Sequence, residues 1–220
     1  AGSPLKIFRL TTPGAQIVEQ IEQGADVASS TLTDRLLDAG AIHPEYLPDA
    51  AGVFTLDDVT VITPQLGGAA ATDGRVVVDD GSTPLIAGAT IRLDDNSGPG
   101  AARNTGRLLA TTPLVAFVDA DVDLLADVGI GCWLTPLLPH FDDPSVALVA
   151  PRVAGEPGSP LDLGDKPGRI QAGTRIGYVP AAAIVVRADA LDAVGGFDPA
   201  LRFGEDVDFV WRLDQAGWRC

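Results

Sequence analysis

Short apolar runs that end in polar residues recur along the chain from Asp57 onward. Five of these runs are rich in β-branched residues and predict strands: Val59–Ile62, Val76–Val78, Leu114–Val118, Val146–Val149 and Ile184–Val186. Continuous apolar strands are typical of sheets that are buried on both faces. The pattern therefore predicts an α/β fold in which a mostly parallel sheet lies between helices.

The first 50 residues follow a different pattern, which predicts a small α+β unit. Leu5–Leu10 alternates like a short strand, and an amphipathic helix is expected from Thr12. A second helix is expected to begin near Ser30 or Thr31 and to end at Gly40. A strand with two such helices resembles the winged-helix units that bind precursor peptides in ribosomal-peptide maturation. A structural cap on the following domain is the equally weighted alternative.

The chain is expected to hold two units, residues 1–50 and 57–220, the second of them incomplete. Only 11 residues separate Thr63 from Arg75, and 8 separate Ser82 from Ile91. Neighbouring parallel strands usually need a crossover of about a dozen residues or more. The connections are therefore abbreviated, or segments are missing, and we favour missing segments. Because the chain contains no Met, we interpret it as a fragment.

The composition excludes several classes of protein. The 220 residues are 46% hydrophobic, and 30 acidic against 15 basic side chains give a formal net charge of −15. This charge opposes sequence-independent nucleic-acid binding, which needs a basic surface. No apolar run approaches the roughly 20 residues that span a bilayer. Two cysteines cannot form a disulfide framework, so a cytoplasmic location is expected, with membrane association through missing sequence as a further option.

Acidic residues follow two of the predicted strands. Asp79 and Asp80 end a valine run, and Asp119 and Asp121 end the most apolar strand. Ligands of open α/β sheets bind beyond the carboxyl ends of the strands. Side chains at i and i+2 point the same way, so Asp119 and Asp121 can share a Mg²⁺ or Mn²⁺ that also holds substrate phosphates. For Asp79 and Asp80, contact with a ribose or base competes with a plain Asx turn, which this motif alone favours.

A glycine-rich segment at 98–106 opens a predicted helix and contains Arg103. Small residues let the backbone approach a ligand closely, and the N-terminus of a helix favours negative charge. A cation in the first turn opposes the helix dipole. We therefore interpret Arg103 as serving an anion nearby, with a plain surface arginine as the alternative.

The last predicted helix is preceded by a glycine pair and begins near Glu205 and Asp206. Asp206 lies at the expected helix N-terminus, where an aspartate commonly acts as a cap. The functional alternative is a general base that removes a proton from an acceptor hydroxyl. The neighbouring Glu205 would help to raise the proton affinity of Asp206. The two roles are compatible.

Taken in order, these motifs resemble the family 2 glycosyltransferases of the GT-A fold, and the resemblance covers Asp57 to the C-terminus. Each motif is modest alone, but the ordered set is specific. The motifs are Val78–Ser82, Gly98–Asn104, Asp119–Asp121 and Gly195–Asp198 followed by Glu205 and Asp206. The amino-acid sequences of Tyr178–Ala182 and Asp206–Leu213 are similar to those of the mycofactocin-system glycosyltransferases.

The resemblance implies metal-dependent, inverting transfer of a sugar, with UDP-glucose as the implied donor. The acceptor would be a hydroxyl of a peptide-derived redox cofactor or its precursor. Asp206 would be the catalytic base. The remaining implied assignments are Asp79, Asp80, Arg103 and Asp119 to the nucleotide, Asp121 and Asp119 to Mg²⁺ or Mn²⁺, and Gly195, Gly196, Phe197 and Glu205 to the acceptor side. Many relatives add a metal-binding histidine after the acidic pair, and this chain has none beyond His140.

Two other functions fit parts of the pattern. Sugar-nucleotidyl transfer needs an early glycine-rich loop with arginine and lysine, yet Arg75 is the only basic residue between Val59 and Asp79. A peptide-binding protein with a catalytically degenerate GT-A scaffold would instead use the N-terminal unit to capture a precursor peptide.

Overall fold

The computed structural model describes residues 5–46, 52–71, 73–124, 131–154 and 162–220. These residues fold around a six-stranded sheet in the order β3-β2-β1-β4-β6-β5. The strands are β1 (Val59–Gln65), β2 (Val76–Asp80), β3 (Ile91–Leu93), β4 (Leu114–Val118), β5 (Leu148–Val149) and β6 (Ala183–Arg187). The helices are α1 (Thr12–Glu22), α2 (Thr31–Asp38), α3 (Pro99–Arg107), α4 (Gly131–Leu134), α5 (Ala188–Ala193) and α6 (Glu205–Gln215), with 3₁₀ turns at Leu56–Asp58 and Leu138–Asp142.

The sheet is parallel on one side and antiparallel on the other. β1 pairs in parallel with β2 and β4, and β2 pairs in parallel with β3. β6 runs antiparallel to both β4 and β5. The five apolar runs all become strands, although the fourth shortens to Leu148–Val149 because Val146 instead bridges to Arg219. The α/β fold class with a mostly parallel sheet is confirmed.

β4 lies at the centre of the hydrophobic core. Every residue from Leu114 to Val118 is fully buried. Because successive side chains of a strand point to opposite faces, Phe117 packs with Phe197 on one face, while Ala116 packs with Phe141 on the other. Both faces of this strand are covered, as its unbroken apolar run predicts.

The connections between the parallel strands are short. Residues 66–75 join β1 to β2 and residues 81–90 join β2 to β3, and no helix occurs in the part of either connection that the structure describes. The Ser82 hydroxyl accepts a hydrogen bond from Gly67 N at 2.7 Å and so ties the two connections together. Within the described residues, the carboxyl ends of β1 and β2 are thus linked by loops alone.

The N-terminal unit contains the two predicted helices but not the predicted strand. Leu5–Leu10 pairs with no strand in the described part of the chain, and Ile7 is 95% exposed. The strand prediction is wrong because alternation stabilises a strand only when a partner covers its apolar face. Both helices begin with a side-chain N-cap: Thr11 accepts from Gly14 N and, at the predicted start of α2, Ser30 accepts from Thr33 N. The winged-helix resemblance is not confirmed.

Arg219 links α2 to the sheet. Its Nε donates to Asp38 Oδ1 at 2.8 Å, and its Nη1 donates to Asp143 Oδ2 at 2.7 Å. Arg219 therefore holds α2 against the residues that precede β5, and Arg169 Nη1 lies 3.8 Å from the same Asp38 carboxylate. None of the described helices has both the length and the apolar character that crossing a bilayer requires.

Candidate active site

An open cleft lies at the carboxyl ends of β1, β2 and β4, where ligands of open α/β sheets bind. Its volume of about 340 Å³ lies near the lower end of small-molecule sites. The lining residues are Pro64, Gln65, Leu66, Asp80, Asn96, Gly98, Pro99, Asp119, Ala120 and Asp121. The structure thus brings together three of the predicted acidic residues, Asp80, Asp119 and Asp121.

Asp80 connects the end of β2 to the start of α3. Its Oδ1 accepts from Ser97 N at 2.7 Å, and its Oδ2 accepts from Gly98 N at 2.9 Å. Gly98 is the N-cap of α3, so this carboxylate satisfies backbone donors at the positive end of the helix. Each oxygen of Asp80 keeps a further lone pair for a ligand in the cleft.

Asp79 serves a different region from Asp80. It is 1% exposed and does not line the cleft. Its carboxylate accepts from Ser82 N at 2.8 Å, Ile86 N at 3.0 Å and Arg92 Nη1 at 2.6 Å. Burial alone would raise the pKa of Asp79, but these hydrogen bonds hold that pKa well below its usual range. The Asx-type turn at Ser82, the plain alternative, is what the structure shows for Asp79.

Asp119 and Asp121 follow β4 and both line the cleft. Asp119 is partly buried and accepts a hydrogen bond from Arg103 Nη2 at 2.6 Å, whereas Asp121 is exposed. Burial raises the pKa of Asp119, and the negative charges of Asp121 and Glu205 add to this rise while Arg103 opposes it. The two carboxylates are therefore close enough to repel each other.

The donor set at this position fits a divalent cation that shares its ligands with a substrate. Within the described ranges, no group of three or more His, Cys, Asp or Glu side chains is arranged to hold a metal. Mg²⁺ typically takes one or two carboxylates and fills its shell with water and substrate phosphates. Asp119 and Asp121 supply such a pair.

Arg103 lies beneath the cleft rather than in its lining. It is 2% exposed, and its Nη1 donates to Glu205 Oε1 at 2.8 Å while its Nη2 contacts Asp119. The guanidinium carbon lies 5.3 Å from the centre of the Phe197 ring. Arg103 is buried and paired with two anions, so the surface-arginine alternative is wrong. It is the fifth residue of α3, so the prediction that it lies in the first turn is also wrong. The anions are carboxylates of the protein itself.

Asp206 lies in the first turn of α6, next to Glu205. The N-cap is Gly204, so Asp206 does not cap the helix from the expected position. Its Oδ1 accepts from Val207 N at 2.8 Å. Burial raises the pKa of Asp206, and the Glu205 charge adds to this, while backbone hydrogen bonds and Arg103 oppose it. Asp206 does not line the cleft, but Glu205 links it to the Arg103–Asp119 pair.

The segment Gly195–Phe197 forms an internal support. Phe197 is 1% exposed and packs its ring against Phe117 and Phe209. Its backbone N–H donates to Asn104 Oδ1 at 2.9 Å, and its carbonyl accepts from Asn104 Nδ2 at 2.7 Å. Phe197 is therefore a core residue that holds α3, rather than a side chain exposed to an acceptor.

Sequence reasoning missed the role of Asn104 and the cleft residues Gln65 and Asn96. Asn104 follows Arg103 directly in the glycine-rich motif, and its amide can both donate and accept, but nothing local shows that Phe197 is its partner. Gln65 ends β1, as Asp80 ends β2. A polar residue at the carboxyl end of an apolar strand was the available signal for Gln65.

Comparison with known proteins supports the sequence resemblance. Residues 75–168 match the family model described as glycosyl transferase family 2. Two curated proteins from strains of Mycobacterium tuberculosis, each named pre-mycofactocin glycosyltransferase, are 38% identical to this chain over 251 residues. The match covers 99% of this chain and 51% of the relatives, so the chain spans about half their length. The match extends over 251 positions and this chain has 220 residues, so at least 31 of the matched positions have no counterpart in this chain.

A solved structure shares the fold. The mannosyltransferase from Pyrobaculum calidifontis, in complex with GDP-Man and Mn²⁺, superposes with a TM-score of 0.56 at 20% identity. The superposition covers 94% of this chain and 61% of that chain. The likeness confirms the GT-A arrangement of the sheet and helices.

Proposed function

Because residues 75–168 match the glycosyl transferase family 2 model and the chain resembles the pre-mycofactocin glycosyltransferases, we propose that it transfers a sugar from a nucleotide-sugar to a hydroxyl of a mycofactocin precursor. The observation that carries the proposal is the gathering of Asp80, Asp119 and Asp121 in one cleft, with Asp206 connected to it through Glu205 and Arg103. UDP-glucose is the proposed donor on the sequence resemblance.

The donor side uses the cleft. Three carboxylates line it, and none of its described lining residues is an arginine, lysine or histidine. A diphosphate would be repelled from such a surface unless a cation intervenes. Asp119 and Asp121 are proposed to hold Mg²⁺ or Mn²⁺, which would supply neutralisation of the charge on the departing diphosphate. Asp80 and Asp119 are proposed to contact the nucleotide, while Asp79 supports the loop at Ser82.

The acceptor side uses Asp206. A general base works best when its pKa lies near the working pH, and burial raises the pKa of Asp206 in that direction. The acceptor hydroxyl oxygen would bond to the anomeric carbon as the bond from that carbon to the phosphate oxygen breaks. The hydroxyl proton passes to Asp206, and attack opposite the leaving group inverts the anomeric centre. Glu205, through Arg103, and the segment Gly195, Gly196 and Phe197, through Asn104, are proposed to support the acceptor side.

The acceptor is proposed to be peptide-derived, and residues 1–50 are the proposed peptide-binding unit alongside a catalytic unit at 57–220. A cytoplasmic location is proposed with it.

The second candidate function is a peptide-binding protein with a degenerate scaffold. The observation that favours this second candidate is that, within the described residues, no group of three or more side chains is arranged to hold a metal.

A thermal-shift experiment with UDP, with and without Mn²⁺, tests the proposal. A ligand at 100 times its Kd stabilises the folded state by about 2.7 kcal/mol, which corresponds to roughly 5–11 °C in Tm for a protein of this size. We expect this shift only when Mn²⁺ is present, together with UDP release from UDP-glucose.

Asp121→Asn should abolish the Mn²⁺-dependent shift and UDP release without lowering the Tm of the free protein, because Asp121 is exposed. The matched control is Asp57→Asn. Asp57 is an exposed aspartate that precedes β1, so it lies at the end of this strand opposite to the cleft. If UDP does not change the Tm of the wild-type protein either with or without Mn²⁺, the proposal is contradicted. Peptide binding by that same protein would then favour the second candidate.

A further inference from the structure

Arg103 joins two parts of the candidate site that are far apart in the chain. Asp119 lies at the end of β4, and Glu205 begins α6, 102 residues after Arg103. One guanidinium contacts both carboxylates, at 2.6 and 2.8 Å. The planar fork of arginine presents several donors in fixed directions, which a lysine ammonium does not.

The surroundings fix the position of the guanidinium. The Phe197 ring lies beside it, and Phe197 is itself held by Asn104, the next residue of α3. Consecutive residues of one helix thus hold both the Gly195–Phe197 segment and the start of α6. Since Arg103 is 2% exposed and absent from the cleft lining, it does not offer its charge to a ligand there.

We propose that Arg103 is a positioning residue, which fixes Asp119 on the donor side relative to the Glu205–Asp206 pair on the acceptor side without touching either substrate. The proposal rests on the proposed function and replaces the sequence-based assignment of Arg103 to the nucleotide. Misplacing reacting groups by about 1 Å can cost on the order of 100-fold in rate. Loss of Arg103 therefore lowers kcat. Nucleotide binding stays largely intact because Asp80 is held by Ser97 N and Gly98 N, independently of Arg103, and Asp121 also remains in the cleft.

The test compares Arg103→Gln and Arg103→Lys with Arg107→Gln in the full chain. Arg107 lies one turn further along α3 and pairs with Asp192 at the surface, so it is a matched control. We expect both Arg103 variants to lower the kcat of UDP-glucose turnover by about 100-fold, with the Kd of UDP in Mn²⁺ within about threefold of wild type. Lysine restores the charge but not the two-sided contact, so it should not rescue kcat. Arg107→Gln should change neither value.

A tenfold or greater loss of UDP affinity with unchanged kcat would overturn the proposal, because it would place Arg103 on the nucleotide. Wild-type kcat in the Arg103→Lys variant would also overturn it. Should Arg103→Gln not fold, Glu205→Gln provides the same comparison from the other end of the bridge. Combined with Arg103→Lys, its cost should be less than additive, since both remove one interaction. Additive losses would argue against the bridge, whereas an inactive wild type that does not bind UDP contradicts the proposed function instead.

Discussion

Replacing Gly196 by alanine tests the support beneath the candidate site. Gly196 has φ +72, in the left-handed region, and a Cβ added there would lie 2.5 Å from Asn104 Oδ1 and 3.2 Å from its Cγ. The side chain of Asn104 would have to move, and it holds both backbone groups of Phe197. The substitution therefore adds strain at Gly196 and breaks the attachment of α3 to the Gly195–Phe197 segment.

The expected loss of stability follows from two contributions. The left-handed conformation costs a residue with a Cβ about 1–2 kcal/mol. Each hydrogen bond between Asn104 and Phe197 contributes about 1 kcal/mol, and more if the buried backbone group is left without a partner. Gly196→Ala should therefore lower the free energy of unfolding by about 3–5 kcal/mol.

Gly195→Ala is the matched control. Gly195 has φ +78, but no atom of the described residues lies within 4 Å of the position that an added Cβ would take. It should therefore lose only the conformational contribution of about 1–2 kcal/mol. Urea unfolding would measure both variants, and a difference of about 2–3 kcal/mol corresponds to roughly 4–12 °C in Tm.

Equal losses of stability in the two variants would contradict this prediction, because the Asn104 contact would then contribute nothing. A further check uses Asn104→Ala as the background. There the cost of Gly196→Ala should fall to that of Gly195→Ala, since the obstructing side chain is absent.

Three other predictions follow from ionised groups. Because burial raises the pKa of Asp206 and a base must be deprotonated, turnover should fall with decreasing pH at a pKa above the usual value of about 3.9. Glu205→Gln should move this fall to lower pH, since it removes a negative charge that raises that pKa, and a pH–rate profile that moved upward would contradict this. Asp79→Asn should lower the free energy of unfolding by about 2–3 kcal/mol, below the usual loss for a fully buried pair because Arg92 is 38% exposed. Because the pKa of Asp79 is depressed in the folded state, its ionised carboxylate stabilises the fold above the unfolded-state pKa, and this stabilisation is lost as the pH falls through the folded-state pKa. Urea unfolding should therefore show a smaller difference in stability between wild type and Asp79→Asn at pH 3 than at pH 7. Arg219→Gln should lower the free energy of unfolding by about 1–2 kcal/mol, because it breaks two charged hydrogen bonds. Limited proteolysis should then cut the connection between α1 and α2 faster than in the wild type. An unchanged cleavage rate would argue against the link between Arg219 and α2.

The strands were predictable because their signal is local. The run Leu114–Val118 needs no knowledge of its neighbours to indicate a strand buried on both faces. Asp119 and Asp121 both line the cleft as expected, but the extended backbone assumed for them is not observed, since residues 120 and 121 form a turn in which Val122 N donates to Asp119 O at 3.2 Å. Leu5–Leu10 shows the limit of this reasoning, since its alternation is real but no described strand pairs with it.

The roles of the site residues were harder to predict because their partners are distant in the sequence. Arg103 and Glu205 were both recognised as unusual, yet nothing local shows that each is the partner of the other. The same holds for Asn104 and Phe197. Motifs therefore drew attention to these residues, but a sequence does not distinguish contact with a substrate from contact with another motif.

The long-range contacts of α3 have a consequence for how the protein folds. Its side chains meet residues that lie 85, 93 and 102 positions later: Asp192, Phe197 and Glu205. Contacts at such separation form slowly, since a long loop must close before they stabilise anything. During synthesis, α3 leaves the ribosome well before these partners exist, so the candidate active site should be among the last regions to assemble.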